Sequence, residues 1–167
     1  SVASVVAERL ETMRNKHAIT LEHLRMGALK GIILDADGST LYNLYDEFGI
    51  APKAINFALT TDSTNVRQKC VDTLAHIEQN LLGEFMTGAR VLCSQEFFAA
   101  LTSHKDVKTA YAQWQQGAVL INDVRKGFNF GGLVFEEYRG KASDLDGTVR
   151  RFIAPGEAHA FPLGTIN

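Results

Sequence analysis

Val2, Val6, Leu10 and Met13 recur at spacings of four, four and three, with charged side chains on the intervening faces. This is the period of an amphipathic helix. Thr20 is placed to cap a second helical segment, with Glu22 in its first turn and Leu21, Leu24, Ala28 and Leu29 as its stripe, and Gly31 is placed to end it. A long helical element, with a bend expected near Asn15 to Thr20, thus delivers the chain to Ile32. There the period changes to two: Ile32 to Leu34 and Thr40 to Leu44 read as strands joined by Asp35-Ala36-Asp37-Gly38-Ser39, a hairpin signal.

Leu44 to Ile50 is expected as a turn around Gly49 and Pro52, and the alternation from Ala54 to Thr60 predicts a further strand. A strong helix is expected from Asp62 or Ser63 to about Gly83, with Val66, Cys70, Leu74, Ile77 and Leu81 facing the core. Arg90 to Cys93 suits a buried strand, and Ser94 caps a helix bearing Phe97, Phe98 and Leu101. Ser103 and Asp106 form a weaker capping box for a helix that Gly117 closes, with Tyr111 and Trp114 on its core side. From there the pattern is β: Val119 to Val124, Phe128 to Tyr138 around Gly131-Gly132, Thr148 to Ile153, and a run after Pro155-Gly156. Gly131-Gly132 reads as a bulge or a close backbone approach. The class is α+β, without the regular alternation of a doubly wound sheet.

Composition narrows the function classes. The 167 residues are 46% apolar with a net charge of −2. One good core is expected, and no polybasic surface for nucleic acid. Apolar runs reach about five residues, as at Phe97 to Leu101, too short for a membrane span or signal peptide. Cys70 and Cys93 form no CxxC and read as buried hydrophobes of a reducing compartment. The chain opens at Ser1 inside a helical pattern, so a piece of a longer protein is expected.

The chemistry on offer is concentrated in the hairpin. Asp35, Asp37 and Ser39 match the Asp-x-Asp-Gly-Thr pattern of haloacid-dehalogenase-like phosphatases, with Asp35 as nucleophile and Asp37 as acid and base. That mechanism needs magnesium and further carboxylates. Asp144 and Asp146 are the available pair, but they lie in a polar stretch and not at the end of an apolar strand. An EF-hand loop fails because Thr40 and Asp46 stand where Gly and Glu are required. His17, His23, His76, His104 and His159 show no HExxH or paired spacing, and no GxGxxG, Walker loop or GxSxG is present.

Three stretches together resemble the major capsid protein E family of lambda-like tailed phages. They are Arg25 to Gly31 leading into Asp35-Ala36-Asp37-Gly38 and Leu44 to Gly49, then Val91-Leu92-Cys93-Ser94 with Phe97-Phe98 and Leu101, and finally Gly131 to Gly140 continued by Phe152 to Thr165. The resemblance spans about Val2 to Thr165. It implies the tailed-phage (HK-97-like) major capsid fold: residues 1–60 as a peripheral-domain part with the spine helix and hairpin, residues 61–167 as an axial-domain part of mixed sheet and helices. Relative to the family, the N-terminal arm, the extended loop and the C-terminal end are absent from this stretch.

The function implied is that of a viral structural protein, made in the bacterial host cytoplasm and located in the virion. Its copies form hexamers and pentamers of an icosahedral shell around phage DNA. Scaffolding protein, portal and a decoration protein are the implied partners, with no membrane and no specific nucleic-acid site. The resemblance carries no catalytic, cofactor-binding or metal-ligating residue. Glu136, Glu137, Arg139, Arg150 and Arg151 are candidates for contacts between copies, or else a solvated face. The phosphatase, and a non-assembling binding module derived from a prophage capsid gene, stand as alternatives.

Overall fold

The computed structural model describes residues 2–121, 127–143 and 147–165. The chain forms two compact units, one made of residues 1–52 and 140–152, the other of 53–139 and 153–167.

In the first unit a single helix, α1, runs from Val2 to Lys30. It is 29 residues long, roughly 43 Å at the usual rise. The expected break at Thr20 does not occur, because the Thr20 hydroxyl donates to the Lys16 carbonyl one turn back and so sits inside the helix. Val2, Val6, Leu10, Met13 and Leu21 are exposed, and the buried helical residues are Met26 and Gly27. The Gly27 Cα faces β1 so closely that a Cβ would come within 3.0 Å of the Ile32 carbonyl and the Ile33 Cα. Gly31, at φ +86, turns the chain, and any side chain there would strike the Tyr45 ring. The Tyr45 hydroxyl in turn donates to the Lys30 carbonyl at 2.8 Å, satisfying one orphan acceptor of the helix end.

Strands β1 (Ile32–Leu34) and β2 (Thr40–Asn43) form the expected antiparallel hairpin, with an irregularity between Ile33 and Leu34. The stretch expected as a turn is a short helix, α2 (Leu44–Phe48). The Asn43 side chain caps it at the Tyr45 N–H and Gly49 ends it in the left-handed region.

The second unit holds the core. Residues 54–60 pair with no strand, so the expected strand there is absent; Phe57 and Leu59 pack against the core, while Ala58 between them turns at φ +46. Helix α3 (Val66–Asn80) starts later than expected, capped by Asn65, and buries Val66 and Cys70. Strand β3 (Gly88–Cys93) alternates half-buried and buried positions, and α4 (Gln95–Ser103) is capped by Ser94 as expected. Helix α5 (Lys105–Ile121) runs through Gly117 and takes up residues 119–121, where a strand was expected; 122–124 of that expected strand lie outside the described residues.

Strands β4 (Phe128–Phe130) and β5 (Leu133–Glu137) form a hairpin rather than one long strand. Gly131 and Gly132, at φ +60 and +86, make its two-residue turn. The close approach expected there is present: a Cβ on Gly131 would run into Cys70, and one on Gly132 into Leu74.

The last segments of chain divide between the units. Strands β6 (Lys141–Ser143) and β7 (Val149–Arg151) form a second antiparallel ribbon in the first unit. Strand β8 (Ala158–Leu163) closes the sheet of the second unit, ordered β4-β5-β3-β8, with β3 and β5 parallel and the other neighbours antiparallel. Ala89, Val91, Cys93, Leu133, Phe135 and Phe128 pack with Leu101 and Val107 of the helices. The architecture is α+β, with a mixed sheet.

Candidate assembly surfaces

The Asp-x-Asp hairpin is built as a turn. The Asp35 carboxylate accepts from its neighbour's N–H, Ala36, at 2.7 Å. The Asp37 carboxylate accepts from the Ser39 N–H at 2.8 Å and the Ser39 hydroxyl at 2.6 Å. These bonds, the hydroxyl first, hold the Asp37 carboxyl below its ordinary range, with a small contribution from Arg150. The Gly38 N–H closes the turn on the Asp35 carbonyl at 3.0 Å, and Gly38 takes φ +84. The Arg150 guanidinium of the second ribbon lies against Gly38, 2.8 Å from where a Cβ would stand. Both carboxylates are therefore committed to local turn geometry rather than aimed together at a common point. Asp144 and Asp146 lie outside the described residues. No grouping of three or more His, Cys, Asp or Glu side chains suited to a metal occurs among the described residues.

Of the charges nominated for contacts, Glu136 pairs with Arg90 at 2.9 Å across the sheet, and Glu137 with Arg139 at 2.6 Å. The carboxylate beside it raises the Arg139 pKa. Arg150 faces the first ribbon's turn.

Buried His104 and exposed Asp106 beside it tie elements of the second unit together, and spacing alone does not reveal their roles. His104, not Ser103, opens α5: Nδ1 accepts from the Asp106 N–H at 3.2 Å, and Nε2 reaches the Thr61 carbonyl at 3.1 Å. That pattern places the ring hydrogen on Nε2. The Asp106 carboxylate is then turned to the first N–H of α3, at Val66, at 3.3 Å. Cys70 and Cys93 are both buried, and desolvation pushes each thiol up to about 12.

Large apolar side chains stand out in solvent instead. On α1, Leu10 and Met13 are 60% and 62% exposed. Phe48 and Ile50 project at the end of α2, and Leu82 and Phe85 project from the loop after α3. Sequence reading missed the last pair; the available signal was a Leu-Leu-Gly-Glu-Phe stretch that fits neither helical nor strand period. Beside α3, a groove of about 530 Å³ is walled by residues 53–56 and by Lys69, Asp72, Ala75 and His76. Among the described residues, no helix is long and apolar enough to cross a membrane.

Large apolar side chains thus stand exposed on separate elements of each unit among the described residues. The chain belongs to the phage major capsid protein E family, whose pattern it matches over residues 1–167. It is 32% identical over 193 aligned residues to the major capsid protein of Salmonella phage Felix O1, covering 99% of this chain and 52% of that protein. To the major capsid protein of Pseudomonas phage KPP10 it is 34% identical over 170 residues, covering 92% of this chain and 48% of the relative. The chain thus spans about half the length of these curated relatives.

Proposed function

We propose that this chain is part of a head protein whose copies assemble into hexamers and pentamers of an icosahedral shell enclosing phage DNA. Its role is structural and non-enzymatic, in the virion after synthesis in the host cytoplasm. The observation that carries the reading is the exposed apolar stripe of α1, Val2, Val6, Leu10 and Met13, on a chain of a capsid family. A helix with such a stripe gains stability by covering it, and in a shell the cover is a neighbouring copy.

On this reading the fold is that of tailed-phage shells. Helix α1 is the spine helix, the unit of residues 1–52 and 140–152 is the peripheral part, and the unit of 53–139 and 153–167 is the axial part. Scaffolding protein, portal and a decoration protein are its other partners. Electron microscopy of the protein co-produced with a scaffolding protein tests the proposal. Closed particles are expected, and only unassembled protein would count against it.

A further inference from the structure

Asp-Gly steps occur at Asp37-Gly38 and Asp146-Gly147. Such a step carries its own chemistry. With no side chain to shield it, the glycine nitrogen can approach the preceding side-chain carboxyl closely enough for a five-membered ring to close. The amide nitrogen gives up its proton and its electron pair forms a bond to Cγ, while the carboxyl hydroxyl leaves with that proton as water. Water then opens the succinimide. Where it cleaves the original main-chain carbonyl from the nitrogen, the chain runs on through Cβ and Cγ as isoaspartate, with no change in mass and no reactant besides water. Ring closure needs a protonated carboxyl, since a carboxylate has no hydroxyl to lose, and an amide nitrogen free to give up its proton.

At Asp37-Gly38 both reacting groups are occupied. Asp37 is exposed, so solvent reaches it. Ser39 donates to its Oδ1 twice, from the N–H at 2.8 Å and from the hydroxyl at 2.6 Å. Those bonds favour the ionised carboxyl, so the reactive protonated form is scarcer than in a free chain. They also hold the carboxylate toward residue 39, one residue past the nitrogen that would attack it. The Gly38 N–H is itself committed to the Asp35 carbonyl at 3.0 Å, and the Asp35 N–H to the Ser39 carbonyl at 2.8 Å. Isoaspartate would lengthen the main chain by one carbon between Asp35 and Ser39. The pairing of Leu34 with Thr40, across β1 and β2, depends on that length.

We propose that Asp37-Gly38 is a latent isoaspartate site and that Ser39 guards it, holding the Asp37 carboxylate while the Asp35 carbonyl holds the Gly38 N–H. Ser39 is a positioning residue: it reacts with nothing and keeps the two reacting groups from meeting. The guard acts within the single chain and does not depend on assembly. On the shell reading it has a use, because a copy built into a particle outlasts the cell that made it and is not replaced by synthesis.

Long incubation at neutral pH, followed by proteolysis and chromatographic separation of aspartyl from isoaspartyl peptides, tests this. In denaturant the Asp37 and Asp146 peptides act as each other's clock and should convert at similar rates. In the folded, unmodified protein Asp37 should convert about a hundredfold more slowly than in denaturant, about tenfold for each of the two Ser39 bonds to a charged group. Folded Ser39→Ala, which keeps the N–H and loses the hydroxyl, should convert about tenfold faster than the unmodified protein. Ser39→Thr keeps both donors and should stay as slow as the unmodified protein. Equal rates in the folded and unfolded unmodified chain, folded Ser39→Ala no faster than the unmodified protein, or Ser39→Thr as fast as Ser39→Ala each overturn the proposal. If Ser39→Ala does not fold, the folded and unfolded rates of the unmodified protein decide it alone.

Discussion

Gly38 is the residue on which the first unit's two ribbons meet. Its φ of +84 strains any branched side chain, which would also have to push the Arg150 guanidinium aside. Gly38→Val should destabilise the protein by about 2 kcal/mol in urea unfolding. Asp35→Asn should shift it by less than about 0.5 kcal/mol, since the amide oxygen can still accept from Ala36. A large loss on Asp35→Asn would revive a special role for that carboxylate. Asp37 adds a pH signature. A carboxyl held below its ordinary pKa contributes stability that is fully present above the unfolded value, about 4, and is lost as pH falls through the lower folded value. An NMR titration should place the Asp37 midpoint below 3.8, its usual value, and Ser39→Ala should move it back up. The cysteines give the complementary test: with thiols pushed up to about 12 and buried, Cys70 and Cys93 should resist alkylation at pH 8 until the chain is unfolded.

At the scale of elements, the legible features were those fixed by neighbours close in sequence. The caps at Ser94 and Gly31, the hairpin at Asp35 to Ser39, and the Val66–Cys70 face all follow from local spacing. What could not be read depends on partners distant in the chain. Residues 54–60 alternate in sequence as a strand does, and Phe57 and Leu59 do pack on the core, but whether a ladder forms depends on a neighbour that period alone does not supply. Residues 119–121 carry β-favouring letters, yet they continue a helix already propagating from Lys105. Thr20 looked like a cap because a hydroxyl can also bond backward into the preceding turn. Helix α5 offers a test of this account. Gly117 lies within it and no described atom comes within 4 Å of an added Cβ, so Gly117→Ala should stabilise the protein by about 0.5–1 kcal/mol in urea unfolding. A loss of stability would mean that the helix is interrupted there.

For the whole molecule, the informative element is α1. Its spacing predicted an amphipathic helix, and the structure buries Met26 and Gly27 while Val2, Val6, Leu10 and Met13 are exposed. A hydrophobic period says that a face is covered in the working state without saying by which chain, and on the proposed shell reading the cover is a neighbouring copy. Family membership came from residues spread along the chain, which no single motif carried. The most direct test is electron microscopy, beside the unmodified protein, of a Leu10→Glu, Met13→Glu double variant co-produced with scaffolding protein. Both side chains are exposed in the single chain, so circular dichroism and the urea midpoint should stay near those of the unmodified protein. The account predicts closed particles from the unmodified protein and folded but unassembled chains from the variant. Normal particles from the variant would contradict it.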